Sequence, residues 1–297
     1  MNVTNEISRK VVEAPDVVKA LPESIILDCL NDVRPLFEKE RALVELPDDD
    51  IVFVGDLHGD FETAKAIIRR FLGAKHVVFL GDYIDREPEK WGAVSTVMYL
   101  FLLKIEYPEK LILLKGNHEA NYAIPCYPYE FERELRERFG SSFLHEHFVQ
   151  VFSAMPMMMR SDRIFAAHGG IIKGATAESL RAIRKDDRCA LEALVWSDPT
   201  VSLSFRGTGD SFDEEDLLAF LKCIDACVFM RAHDPSQLGV SLFQDSCLTI
   251  LSSRQYSDMG NRGILAARAQ GKVSRVHDVH VEDFSSGEWR TYQIQRR

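Results

Sequence analysis

No apolar run of 18 uncharged residues occurs in the sequence, so no membrane span is expected. The first twenty residues, MNVTNEISRKVVEAPDVVKA, lack a basic stretch followed by an apolar one, and no secretory signal is expected. Paired cysteines are missing as well: the six are scattered, and none sits in a C-x-x-C pair. A mixed α/β chain of this length needs no disulfide staples, and free thiols in a reducing, cytoplasmic setting are expected. Cys223 and Cys227 stand four residues apart and would share a face if that stretch were helical; free thiols remain the reading there too. A basic excess is lacking. The net charge of −10 argues against nucleic acid or an anionic membrane as the main partner, because both need a basic footprint. No Gly/Ser/Pro-rich linker, internal repeat or low-complexity segment marks a boundary.

What is present is apolar and patterned. A chain of 297 residues, 46% hydrophobic, can bury a sizeable core. Residues 1–20 read as a weakly structured lead-in, and 21–297 as one domain. The stretch ESIILDCLNDVRPLFEKERALVEL reads as two short helices broken near Pro35. Short apolar runs then alternate with helical ones. IVFV (51–54) precedes a helix at 61–72, VVFL (77–80) one at 91–105, and LILL (111–114) one at about 129–152. That alternation predicts βαβ units and a largely parallel sheet. Beyond residue 155, PMMMR, RIFAAHGG, ACVFMRAH, VSLFQ, CLTILSS and GILAARA read as short strands with one helix at about 213–222. They predict a second sheet packed on the first.

The first three apolar runs each end in polar residues: Asp56 and His58 in VFVGDLHGD; Asp82, Asp85 and Arg86 in VFLGDYIDR; Asn117, His118 and Glu119 in ILLKGNHEA. His168 and His233 end two later runs in the same way. Parallel strands open their carboxyl ends on one edge, where ligands bind, so these clusters should converge. Singly, an Asp or Asn after a strand is a turn residue or helix cap, and that is the preferred role of Asp60, with a supporting place in the site as its alternative. A lone His is more often a satisfied core residue. Five clusters at five strand ends outweigh those bland alternatives. Two Asp, one Asn and three His, with no thiolate, suit Mn²⁺, Fe²⁺ or Zn²⁺. Six ligands are too many for one tetrahedral ion and suit two ions with a shared carboxylate, an arrangement used in phosphoester hydrolysis. His76, His145, His147, His277 and His280 have no such context and read as structural or solvated.

GDLHG, GDYIDR, GNHE and HGG resemble the signatures of the calcineurin-like metallophosphoesterases. LVWSDP, FRGTGDSF, RAHD and LSSRQYSDMGNRG follow in the order seen in PPP-type serine/threonine phosphatases. The resemblance runs from about residue 25 to about 280. It implies an α/β (by some schemes α+β) metallophosphoesterase fold: two mixed β-sheets packed as a sandwich flanked by helices. It implies that Asp56 and His58 hold one divalent ion, that Asp82 bridges, and that Asn117, His168 and His233 hold the second. Mn²⁺ is the ion expected in vitro, with iron or zinc compatible. Arg86 and Arg206 would clamp the phosphate, Asn117 and Tyr256 would also face substrate, and His118 would be the general acid, oriented by Asp85. The implied reaction is hydrolysis of phosphoserine and phosphothreonine in proteins by attack of a metal-bridging hydroxide on phosphorus.

Some positions depart from the family pattern. Glu87 and Pro88 stand where glycine usually follows GDYVDR, and a surface salt bridge of Arg86 with Glu87 or Glu89 is the bland alternative to a phosphate clamp. Lys115 stands where arginine usually precedes GNHE, and the usual SAPNYC stretch reads SSRQYS, with Ser257 in the cysteine's place. Sites that recruit regulatory subunits cannot be matched, so none is expected. A related hydrolase of dinucleoside polyphosphates, such as diadenosine tetraphosphate, is the alternative enzyme; a catalytically silent scaffold is the alternative class.

Overall fold

The computed structural model describes residues 3–201, 207–259 and 263–296, without the side chains of 257–259. IVFV forms the strand Ile51–Val54, buried along its whole length. It pairs in parallel with His76–Phe79, which pairs in parallel with Leu111–Leu113. On its other side Leu265–Ala269 runs antiparallel, followed by His280–Asp283 and Arg290–Thr291, which completes a mixed six-stranded sheet. A second sheet of seven strands is built around the parallel trio Ile164–Ala167, Val228–Arg231 and Cys247–Thr249.

Side-chain alternation explains why these strands read as unbroken apolar runs. Ile51, Phe53, Val78 and Ile112 face the second sheet and pack with Met159, Ile164, Ala166, Val228, Met230 and Leu248. Val52, Val54, Val77 and Phe79 point the other way, into a core shared with the helices Glu23–Lys39, Phe61–Phe71 and Gly92–Glu106. On the far side Phe165, Ala167 and Phe229 pack against Arg188–Trp196 and Glu214–Cys223. Both sheets are therefore covered on both faces, in the order helix, sheet, sheet, helix. This is the sandwich that the resemblance implies; the largely parallel first sheet expected from the alternation is instead mixed, because Leu265–Ala269, His280–Asp283 and Arg290–Thr291 add to it antiparallel.

Several elements differ from expectation. Glu23–Lys39 is one helix with Pro35 inside it. Proline in a helix interior costs about 3 kcal/mol, but Ile26, Cys29, Leu30, Val33 and Phe37 bury a full stripe, and that packing outweighs it. Residues 3–20 are structured: Val3–Lys10 is helical, Pro15–Ala20 is a 3-10 turn, and Val11 and Val18 are buried in the main core. The helical stretch near 129–152 is two helices, Phe131–Phe139 and Phe143–Ala154, parted at Gly140, where φ is 74°. Two further helices, Ala177–Ala182 and Arg188–Trp196, lie after HGG. Cys223 ends its helix and Cys227 lies beyond it, so they share no helical face. All six cysteines are free.

Candidate metal centre

Residues following Ile51–Val54, His76–Phe79 and Leu111–Leu113 meet those following Ile164–Ala167 and Val228–Arg231. His168 Nε2 lies 3.0 Å from Asn117 Oδ1, 3.2 Å from His233 Nδ1 and 3.4 Å from Asp82 Oδ2. Ligands around one ion with bonds of about 2.1 Å stand roughly 3.0–3.4 Å apart, which is this spacing. Next to them His58 Nε2 lies 3.5 Å from Asp82 Oδ2 and 3.7 Å from Asp56 Oδ2. Asp82 belongs to two of the three groups of potential ligands among the described residues, His58–Asp82–His118 and Asp82–His168–His233; the third is Asp85–His118–Cys126. Asp56, His58, Asp82, Asn117, His168 and His233 are all at most 3% exposed.

The imidazoles are set by backbone carbonyls. His58 Nδ1 is 2.9 Å from the Ile84 carbonyl and His168 Nδ1 is 3.1 Å from that of Leu80. A carbonyl only accepts, so Nδ1 carries the proton in each and Nε2 turns its lone pair inward. Burial, reinforced by the charges of His118 and Arg86, holds the His58 pKa well below the ordinary imidazole value, which keeps it a neutral donor. Burial and the nearby Asp82 push the Asp56 carboxyl up. Burial works against the Asp82 anion, but the surrounding histidines hold its pKa well below the usual range. Buried carboxylates so close together need cations, and this donor set of hard oxygens and imidazoles fits two divalent ions.

The backbone is strained at the same places. His58, Asp82, Asp85, Arg86 and His233 all have positive φ, between 44° and 73°. Such conformations cost on the order of 1–3 kcal/mol each and gather at functional sites. The sequence alone points to the preceding glycines for the sharp turns. Gly81 does turn, at φ 111°, and a Cβ there would collide with the Gly116 backbone.

His118 stands beside these candidate ligands with its nitrogens divided. Nδ1 donates to Asp85 Oδ2 at 2.5 Å; Nε2 has no hydrogen-bond partner and lies 4.0 Å from Asp82 Oδ2. Asp85 is anchored in turn, its other oxygen accepting from the backbone N–H groups of Glu130 and Phe131 at 2.7 Å each. Burial opposes a charged imidazole, but Asp82 and the bond to Asp85 outweigh it and hold His118 well above the ordinary value. Nε2 thus points into the site, on a ring whose carboxylate neighbours favour its protonated form.

A family model for the calcineurin-like phosphoesterases matches residues 50–237. The chain belongs to the calcineurin-like phosphoesterase family. Among the relatives of this phosphoesterase is a protein phosphatase 2A catalytic subunit of Dictyostelium discoideum, 29% identical over 91% of this chain and 89% of that one. Another is the serine/threonine-protein phosphatase 4 catalytic subunit of Eremothecium gossypii, 28% identical over 91% and 89%. The fold is shared with a serine/threonine phosphatase from Saccharomyces cerevisiae, at a TM-score of 0.78 and 24% identity over 93% of this chain and 94% of that one.

The remaining sequence-derived residues of the phosphoesterase fall as follows. Arg86 Nη1 is 3.4 Å from His58 Nε2, and among the described residues it forms no salt bridge with Glu87 or Glu89. Tyr256 is buried, and its hydroxyl donates to Asp56 Oδ2 at 2.9 Å. Arg206 lies outside the described residues. Asp60 caps the helix Phe61–Phe71 through Thr63 and also pairs with Arg254. Three supports carry no role in the sequence reading. Glu119 accepts from the N–H groups of Asp82, Tyr83 and Gly116 at 2.8, 2.9 and 3.0 Å, fixing the shared carboxylate's loop. Ser252 accepts from Gly55 N–H. The buried Arg231 donates to the Gly169 carbonyl and to Asp198. Glu119 and Asp198 are visible inside GNHE and WSDP; what they hold is not.

Proposed function

We propose that this phosphoesterase is a metal-dependent protein phosphatase acting on phosphoserine and phosphothreonine. Asp56, His58 and Asp82 would hold one divalent ion, and Asp82, Asn117, His168 and His233 the other. When bound, such a pair supplies positive charge against the phosphate ester and makes water nucleophilic at neutral pH. The chain's own part is positional. Arg86 offers a planar guanidinium to the phosphate oxygens, and by resemblance Arg206 joins it. Tyr256 steadies Asp56 and borders the substrate. His118 holds a proton at Nε2 for the departing serine oxygen, a role worth about 10²–10⁴ in rate, and Asp85 keeps the ring turned toward that oxygen.

The observation that carries this proposal is the pair of ligand groups sharing Asp82, with a His118–Asp85 dyad beside them. The protein class of substrate is supported by the names of the relatives and by WSDP, FRGTGDSF and the Tyr256 stretch. Phosphorylated proteins are thus the proposed partners. The expectation that no regulatory subunit is involved finds no support, since these relatives are named as catalytic subunits. Mn²⁺ is the first ion to test, with iron and zinc compatible. A cytoplasmic setting is part of the proposal and rests on the free thiols. No described helix is long and apolar enough to cross a membrane.

The test is Asp82→Asn. Calorimetry with Mn²⁺ should register weakened binding at both ion positions, and release of phosphate from a phosphothreonine peptide should fall at least about 10³-fold. Full turnover by Asp82→Asn would overturn the proposal.

A further inference from the structure

Arg254 opens the 3-10 turn Arg254–Met259 that carries Tyr256. It lies in SSRQYS, where the family's SAPNYC has no arginine. Its guanidinium reaches back to Asp60: Nε donates to the two carboxylate oxygens at 2.9 and 3.0 Å, and Nη2 is 2.7 Å from Oδ1. The Arg254 backbone N–H donates to Asp60 Oδ2 at 2.7 Å. The same Nη2 donates to Glu89 Oε2 at 2.9 Å. The other oxygen of Glu89 accepts from Phe61 N–H and Glu62 N–H at 3.1 and 3.3 Å, in the first turn of the helix that Asp60 caps.

One side chain therefore ties three segments together. The first runs from Gly55 to Asp60 and carries Asp56 and His58. The second carries Arg86, three residues before Glu89. The third carries Tyr256, whose hydroxyl holds Asp56. Asp60 is fully buried, whereas the Arg254 side chain is 41% exposed. The clasp closes from the outside onto the ligand loop. A planar guanidinium holds two carboxylates in directions fixed by its fork, whereas a lysine ammonium, a point charge with rotatable donors, fixes no direction.

We propose that Arg254 is a positioning residue whose clasp on Asp60 and Glu89 sets both the orientation of Asp56 and the reach of Arg86. Removing it slackens the Tyr256–Asp56 link, which weakens metal binding. It also frees the Glu89 loop, which weakens the grip on phosphate. Partners that orient ligands typically change metal affinity about 10–100-fold when lost.

The experiment compares full-length Arg254→Ala, Arg254→Lys and Glu89→Gln with the parent. Mn²⁺ affinity of the metal-free chain is read by calorimetry, and inhibition by inorganic phosphate is read against an aryl phosphate. Arg254→Ala should bind Mn²⁺ at least about 10-fold more weakly and require about 10-fold more phosphate for inhibition, with KM rising more than kcat falls. Arg254→Lys should recover Mn²⁺ affinity only in part. Glu89→Gln should keep Mn²⁺ affinity but require more phosphate than the parent for the same inhibition. An Arg254→Ala chain that melts earlier yet binds Mn²⁺ and phosphate like the parent would overturn the proposal. If that variant does not fold, unchanged phosphate inhibition in Glu89→Gln would overturn it. The phosphate arm rests on the phosphatase proposal; the calorimetric arm uses no substrate, so failure of one is distinguishable from failure of the other.

Discussion

His118 divides its work between two ring nitrogens. Nδ1 is committed to Asp85, and Nε2 faces the ligand cluster without a partner. His118→Asn should therefore retain both metals by calorimetry and lose about 10²–10⁴ in kcat on a phosphoserine peptide. An aryl phosphate, whose leaving group needs little protonation, should lose much less. Equal losses on the two substrates would remove His118 from the role of general acid, and loss of metal would make it a ligand instead. Asp85→Asn separates orientation from charge. Burial disfavours imidazolium, and Asp82 together with the Asp85 bond holds it in place. Without the Asp85 anion the proton leaves at lower pH, so the alkaline limb of kcat should move to lower pH.

Strand ends explain how much of the site is legible in the sequence. An apolar run that stops at Gly-Asp or Gly-Asn states both the strand and the polar end that the fold brings to the candidate site, and Asp56, Asp82 and Asn117 are legible for that reason. The left-handed backbone at His58, Asp82 and Arg86 is not, because the local sequence offers glycine as the obvious residue to turn. Pro35 misleads for the opposite reason: a local breaker loses to tertiary packing. The loop after Arg86 carries a further consequence at this scale. Glu134, on Phe131–Phe139, is buried against Val94 N–H and faces Glu87, with Arg138 nearby. Burial first, then the charge of Glu87, push its pKa from 4.5 up to about 8. The folded chain therefore binds more protons here than the unfolded chain between those values, and stability falls as pH rises through that window. Glu134→Gln should melt like the parent at pH 5 and roughly 2–6 °C higher at pH 9. A parallel pH dependence in parent and variant would remove Glu134 from that role.

On the scale of the whole molecule, the two sheets exist to bring distant residues to one edge. His233 N–H donates to Asp56 from 177 positions away, and Arg254 reaches Asp60 across 194. The proposed ligands stand in short motifs, so the candidate metal centre is legible. Their supports are not, because Arg231 with Asp198, Ser252 with Gly55, and Arg254 with Glu89 are pairs that only the closed sandwich creates. Substrate class belongs to this scale too, since the surface around the edge decides what can approach. The measurement that tests the central claim most directly uses one Mn²⁺-loaded preparation and two substrates: kcat/KM for a phosphoserine peptide and for diadenosine tetraphosphate. A protein phosphatase should prefer the peptide by at least about 10²-fold. A preference of that size for the dinucleotide would leave the metal centre standing and contradict the assignment to phosphoproteins.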